Sequence, residues 1–376
     1  MIFSAPKLLP ECLETIRQVD TIRTNLTYAL RTPKRWLGLL RRNTFARNIR
    51  GSNSIEGYNV TDEDAIAAVE SEEPLMDARS ETWAALTGYR TAMTYVLQLS
   101  SDPHFQYGEG FIRSLHYMML SYALPKHPGS WRPGPIYIRD EEKKEIVYEG
   151  PDVALVPSLM NELVDSLNSD DDTPAVVRAS MGHLNLVMIH PFSDGNGRMA
   201  RCLQTLILAR EGILDPWFSS IEEYLGRYTK EYYSALGSVG GTTWQPANDA
   251  LPWLRFCLAA HFNQATTLLK RTKELERVWD ELDILIQQRS LPGRVINALS
   301  DATFGYKIRN ATYRSAADIN NFLASRDLKL LVDEGLLVPT GEKRGRIYEA
   351  AEVLKDIRRR TREPKPIYKP TLPQNL

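Results

Sequence analysis

Residues 175–189, AVVRASMGHLNLVMI, are apolar on nearly every side. A helix with that pattern has no face to give to water, so it needs a shell of other elements around it. It stops at His190-Pro191, because the residue before a proline is biased away from helix. Thr173-Pro174 reads as its start, a capping residue followed by proline at the first helical position. The segment calls for a helical bundle closed around it, and the flanking sequence supplies one.

Upstream, TFARNIRGSNSIEGY carries small and apolar groups at helical spacing, and TDEDAIAAVESEEP opens on Thr61 as an N-cap with acids in its first turn. Helical patterns follow over about 80–99 and in FIRSLHYMMLSYAL. Downstream, RMARCLQTLILAREG starts near Arg198 and ends at Gly212, a plausible residue just past the helix end, and EEYLGRYTKEYYSAL and the long segment from Leu251 continue the helical pattern. The period changes only around 135–149. There Ile136–Ile138 and Ile146–Tyr148 read as two strands with a turn at 140–144.

From about residue 281 the order is LDILIQQR, GRVINALSD, a start at Ser-Ala-Ala-Asp (SAADINNFL), SRDLKLLVDEG and then LLVPTGEKRGRIYEA. Short helices followed by a ribbon with a Gly/Lys/Arg tip resemble a winged helix. Residues 341–376 hold ten Lys and Arg against five Asp and Glu, ending in a proline-rich stretch expected to be poorly ordered. With 376 residues, several units share one chain. The expected divisions are 1–105, an N-terminal helical region; 106–265, a catalytic bundle; 266–361, a linker helix and winged-helix-like unit; and 362–376, the tail. The fold class is mainly α, with one β-hairpin in the bundle.

The net charge of −1 leaves no global basic field for nucleic acid, so any such binding is local. The three cysteines, Cys12, Cys202 and Cys257, lie far apart with no metal-ligand spacing. That pattern excludes a disulfide scaffold and fits a reducing cytoplasm, the expected location. No apolar run approaches the roughly 20 residues of a membrane span, so no membrane partner is expected.

Chemistry concentrates in His190-Pro-Phe-Ser-Asp-Gly-Asn-Gly-Arg-Met-Ala-Arg201. The Gly195-Asn196-Gly197 core lets successive backbone N–H groups converge into a nest. A new helix begins there, and helix N-termini attract anions. Arg198 and Arg201, three apart, suit phosphate oxygens. Asp194 beside the nest suits a divalent metal, and His190 at the end of the buried helix suits a general base. Each residue alone reads better as surface turn chemistry. The ordered set describes phosphoryl or nucleotidyl transfer.

This segment resembles the Fic motif, HPFx[D/E]GNGRxxR, with every fixed position present, and the resemblance extends over roughly residues 40–260. The resemblance implies a helical enzyme that transfers AMP from ATP to Ser, Thr or Tyr hydroxyls of proteins. The related Doc branch, which phosphorylates instead, departs from the Gly-Asn-Gly core. By the resemblance, His190 takes the target's proton and Asp194 holds Mg²⁺. The amides of Gly195, Asn196 and Gly197 cradle phosphate, Arg198 and Arg201 bind the β and γ groups, and Phe192 anchors the loop. Ser52-Asn-Ser-Ile-Glu56-Gly57 resembles the family's inhibitory motif, [S/T]xxxE[G/N], which implies that Glu56 pairs with Arg201 and blocks the γ-phosphate. The 135–149 hairpin stands where the family carries a flap that receives the target. Tyr228 and Tyr232 fall in the part that closes over adenine, although Gly226 stands where relatives often have Asn.

Three readings follow: an autoinhibited AMP transferase, the same site removing AMP from a modified protein, and a DNA-binding regulator with this bundle as sensor. The matching partners are a protein substrate on the hairpin, the chain itself, a DNA or protein ligand of the C-terminal unit, and a second copy in a homodimer. His183 in the apolar helix, Cys202, and the tryptophans at 131, 244, 253 and 279 read as packing residues.

Overall fold

The computed structural model describes residues 1–31, 34–74, 77–140, 145–169, 171–210, 212, 216–341 and 346–364. Five helices come first: α1 Pro10–Arg31, α2 Leu37–Ile55, α3 Asp62–Val69, α4 Glu81–Leu99 and α5 Glu109–Leu120. Thr61 caps α3 as expected, accepting from the Asp64 amide, and Ser80 caps α4 by accepting from the Trp83 amide. The hairpin follows, β1 Tyr137–Asp140 against β2 Glu145–Glu149, antiparallel, with an irregularity between Ile138 and Arg139. The 141–144 part of its expected turn lies outside the described residues.

Next come α6 Val156–Asn168, α7 Ala175–Ile189, α8 Asn196–Arg210, α9 Glu222–Arg227, α10 Thr229–Gly240 and α11 Leu251–Gln288. Helix α7 is the central helix that its apolar sequence required, with twelve of its residues buried. Its start differs from expectation. Pro174 is the cap residue itself and the helix begins at Ala175, while the amide of Thr173 is taken by Asp171 in a local turn. Helix α8 begins at Asn196, two residues before Arg198, and the segment 222–240 breaks at Tyr228 rather than running as one helix.

The last elements are α12 Ile296–Thr303, α13 Asn310–Ala317, α14 Asn321–Asp333, β3 Leu337–Thr340, β4 Ile347–Ala350 and α15 Glu352–Thr361. The ribbon β3–β4 is antiparallel, and Ile308 bridges to Tyr348 as a third strand position. Ser-Ala-Ala-Asp ends a helix instead of starting one. Asp318 adopts the left-handed conformation at the end of α13, and the side chain of Asn320 accepts from the Leu323 amide to cap α14. The expected tip residues Lys343, Arg344 and Gly345, and the tail from 365, lie outside the described residues.

Two hydrophobic cores organise the chain. The first surrounds α7 and α8 and takes in Phe3, Cys12 and Ile16 from the N-terminal region. The second surrounds α12–α14 and takes in Leu26, Trp36, Leu39 and Leu40. Helix α11 runs unbroken through both: Trp253–Ala260 pack in the first core, and Leu268, Leu275, Val278, Trp279 and Leu282 in the second. Helix α2 does the same in reverse, with Trp36, Leu39 and Leu40 in the second core and Phe45, Ile49 and Ile55 in the first. Its N-terminal part is pinned by Arg42, which donates to Asp301 of α12 at 2.6 Å with both side chains almost fully buried. Among the described residues no helix is long and apolar enough to cross a membrane.

Candidate active site

Proline at 191 forbids another helical turn, and α7 ends with His190 at φ 52°, a left-handed conformation that turns the chain sharply into the loop. The loop is locked from within. The Asn196 side chain accepts from the Phe192 amide and donates to the Phe192 carbonyl, both at 2.9 Å. Phe192 is fully buried and stacks on the His116 ring, with centroids 3.7 Å apart and planes 6° from parallel. His116 in turn ties the loop to its neighbours through Asp194 O at 3.0 Å and the Gly129 amide at 2.8 Å. Gly195 has φ +80°, and a side chain there would meet Leu120 at 2.6 Å, so glycine is required on both counts.

Around this frame stand the charged groups. His190 Nδ1 lies 3.1 Å from the Val187 carbonyl, which leaves Nε2 as the free acceptor if the ring is neutral. It is neutral at ordinary pH, because burial pushes its pKa down to about 4. Asp194 receives the Gly195 amide on one oxygen and the Lys126 ammonium on the other, each at 2.6 Å. Burial raises its pKa, but Lys126 and Arg198 more than offset this and hold it below the usual carboxylate range.

Arg198 is fully buried over the ring of Tyr58, and among the described residues none of its three guanidinium nitrogens has a hydrogen-bond partner. A buried guanidinium without acceptors is costly, so the position is arranged for an anion. Arg201, 1% exposed, donates from Nε to the Ser52 hydroxyl at 2.7 Å and from one terminal nitrogen to the Ser52 carbonyl at 3.0 Å and Glu56 at 2.7 Å. Burial alone would lower its pKa; the Glu56 carboxylate and nearby tyrosines reverse this and raise it. Glu56 also presses on the nest itself, since a Cβ built on Gly197 would stand 2.6 Å from its Oε1. Gly57, at φ +83°, turns the chain away after it.

The structure brings His190, Asp194, the 195–197 nest, Arg198, Arg201, Ser52 and Glu56 into one cluster. The aromatic expectations divide. Tyr228, at the break between α9 and α10, is 43% exposed with its ring beside Tyr224, and retains a free face. Tyr232 is placed otherwise than expected: it is 1% exposed, packed against Trp253 and Phe256, with its hydroxyl 2.9 Å from His183 Nε2. Its ring has no surface for a base, because it lies on the buried face of α10 with Ala235, Leu236 and Val239. His183 is a core residue, held by Gln204 at 2.6 Å.

Sequence reasoning missed two side chains and one backbone contact. Lys126 sits in a Pro-rich turn without a motif. Tyr58 follows the inhibitory motif directly. Gly51 and Gly226 let two backbones touch: a Cβ on Gly226 would lie 2.7 Å from Gly51 Cα, so α2 rests directly on α9. The departure at Gly226 was the available signal for that contact. On the hairpin, Tyr137, Ile146 and Val147 are exposed, while Tyr148 anchors the strand by donating to the Met188 carbonyl at 2.8 Å. Among the described residues, no group of three or more His, Cys, Asp and Glu side chains converges as a metal cluster.

Residues 107–208 match the model of the Fic/DOC family. The chain is 31% identical over 144 residues to protein adenylyltransferase fic-1 of Caenorhabditis briggsae, covering 38% of this chain and 27% of that protein. It is 27% identical over 253 residues to protein adenylyltransferase Fic of Nematostella vectensis, covering 64% and 54%. The chain thus spans about a quarter to about half the length of these curated relatives. Among solved structures, a Fic family protein from Desulfovibrio desulfuricans G20 superposes with a TM-score of 0.58 at 21% identity, over 93% of this chain and 98% of that one. Residues 134–508 of Fic-1 from C. elegans superpose with a TM-score of 0.54 at 23% identity, over 70% and 73%. At these identities the superpositions speak for the fold.

Proposed function

We propose that this chain, whose residues 107–208 match the Fic/DOC family, transfers AMP from ATP to a hydroxyl of a protein. The observation that carries the reading is Arg198, a buried cation with no acceptor, next to a backbone nest at the start of α8. That is a site waiting for phosphate. In the proposed reaction His190 Nε2 takes the proton of the target hydroxyl, whose oxygen bonds to the α-phosphorus as the α–β anhydride breaks and pyrophosphate leaves. The 195–197 amides, Arg198 and Arg201 neutralise the developing charge, and positioning with charge neutralisation is what such transition states need. Tyr228 offers its exposed face to adenine. The exposed edge of the hairpin offers main-chain bonds to an extended target segment.

Asp194 fits a divalent cation, since its carboxylate already faces an ammonium at 2.6 Å. Mg²⁺ held there would neutralise phosphate charge. Glu56 occupies Arg201 and crowds Gly197, so the reading is of an inhibited enzyme. The three cysteines, all buried and free, fit a reducing compartment such as the cytoplasm.

Intact-mass spectrometry after incubation with Mg·ATP tests the reading on wild type, Glu56→Gly, His190→Ala and the double variant. Adenylyl mass on Glu56→Gly that disappears in the double variant supports it. A phosphate-sized gain overturns it in favour of a kinase. Loss of AMP from a previously modified protein, dependent on Glu56, would assign the reverse reaction.

A second reading concerns the C-terminal unit. Arg309, Arg314, Lys329 and Arg346 line one trough beside α13 and α14, a helix pair followed by a ribbon, and this favours duplex DNA as a ligand. Salt-dependent binding of a duplex tests it.

A further inference from the structure

The trough beside α13 and α14 has a volume of about 1320 Å³. That exceeds what one small anion or nucleotide fills, and its four cations come from the approach to α13, from α13 and α14, and from the start of β4. Cations spread along a channel suit a polyanion, whose charges recur at short regular steps. The C-terminal unit adds only one acid to the lining, Asp318. The opposite wall belongs to the end of α3 and the turn after it: Glu70, Glu72 and Glu73.

Two of those acids already sit where phosphates would. Glu70 Oε2 accepts from the Ser315 hydroxyl at 2.8 Å, and Glu72 Oε2 accepts from the Thr312 hydroxyl at 3.0 Å, both hydroxyls being on α13. Glu72 also feels the charges of Arg309 and Arg314. Hydroxyls backed by arginines are groups that bind phosphate oxygens, and here carboxylate oxygens take them. One nitrogen of Arg309 is buried without a partner, so these carboxylates leave part of the cation set unsatisfied.

We propose that Glu70 and Glu72 are internal anions that hold a DNA phosphate-backbone site closed and must leave it for DNA to enter. The inference rests on the DNA reading above and adds the competitor. The same displacement reaches the inhibitory helix, because Glu70 lies 3.9 Å from Arg42 of α2. An extended acidic peptide is the alternative occupant of such a trough, and it would not require cations on three separate elements.

The test is fluorescence anisotropy of a labelled duplex of mixed sequence, at several salt concentrations, on the full chain. Glu70→Gln/Glu72→Gln keeps the hydroxyl acceptors while removing the charges, and thermal melting checks that it folds. It is expected to bind roughly tenfold more tightly than wild type, with two competing surface charges removed. Arg314→Ala/Lys329→Ala is expected to weaken binding and to lower the slope of log affinity against log salt by about 2. Asp165→Asn/Glu109→Gln, two acids removed outside the trough, is expected to change affinity less than about twofold. No binding by wild type or by Glu70→Gln/Glu72→Gln at low salt overturns both the DNA reading and the competitor. Binding that Arg314→Ala/Lys329→Ala destroys but Glu70→Gln/Glu72→Gln leaves unchanged keeps the DNA reading and overturns the competitor. Equal tightening by the control pair overturns it too. Displacement of DNA by an acidic peptide, with the peptide binding more tightly, reassigns the trough.

Discussion

The Glu56 carboxylate takes a 2.7 Å hydrogen bond from Arg201, a residue 145 positions away and 1% exposed, while Ser52, one helical turn earlier, takes two more from the same guanidinium. The end of α2 thus grips the arginine along one side, and Glu56 also fills the space over Gly197. Any anion brought to the nest must displace a carboxylate that is already paired. Glu56→Gly is expected to lower the Kd for ATP by at least about tenfold by calorimetry. It is expected to cost about 1–3 kcal/mol of stability, because Arg201 loses one of its buried acceptors. Unchanged nucleotide affinity would show that the pair does not obstruct phosphate.

Gly226→Ala is expected to loosen α2 without touching Glu56. The added Cβ would meet Gly51 Cα at 2.7 Å, backbone against backbone, so α2 must shift away from α9. Overpacking of this kind costs about 1–3 kcal/mol. The variant should show a lower Tm together with increased adenylyl transfer. A lower Tm with no gain in transfer would mean that α2 and Glu56 move independently.

Arg42 and Asp301 join α2 to α12 through a pair that is 6% and 5% exposed. Breaking such a buried pair from one side typically costs about 3–5 kcal/mol. Asp301→Asn is expected to fall in that range by denaturant unfolding, and a double-mutant cycle with Arg42→Met should recover much of the loss. If the losses simply add, the pair is not coupled.

The pH dependence of stability combines two opposing shifts. Burial holds His183 at about 3, below its ordinary 6.5, so the unfolded chain binds protons that the folded chain refuses, and stability falls as pH drops below 6.5. Burial raises Glu222 to about 7 from 4.5, only partly offset by Tyr89 and Arg201. The folded chain therefore keeps a proton that the unfolded chain releases, and stability falls as pH rises from 4.5 through 7. Glu222→Gln removes the second effect. It should be more stable than wild type at pH 8 by about 1–3 kcal/mol, with the difference fading toward pH 4.5. A constant difference across that window would place the cause elsewhere.

The His190–Arg201 loop was readable because its parts are contiguous. Proline stops α7, glycines at 195 and 197 permit the nest, and the arginines fall on the next helix by period alone. The aromatic pocket was not readable, since Tyr228 and Tyr232 have the same side chain and stand only four positions apart. Only the break at Tyr228 leaves one ring in solvent and the other against Trp253.

By itself the sequence determined the elements: an apolar helix that must be central, a cap at Thr61, a hairpin within 135–149 and a loop with the chemistry of phosphate transfer. These depend on neighbours within a few residues, where backbone sterics and periodicity decide the outcome. The tertiary structure alone decided how the two cores share helices. No Gly or Pro interrupts residues 253–288, so α11 continues while its apolar stripe changes partners, and the expected division at 265/266 falls inside it. Helix α2 likewise has one apolar pattern for two cores. That pattern records which side is buried, but not against what. Packing between distant segments settles the partner, and here it sets Arg42 on Asp301 and Glu56 on Arg201 at two ends of one rod.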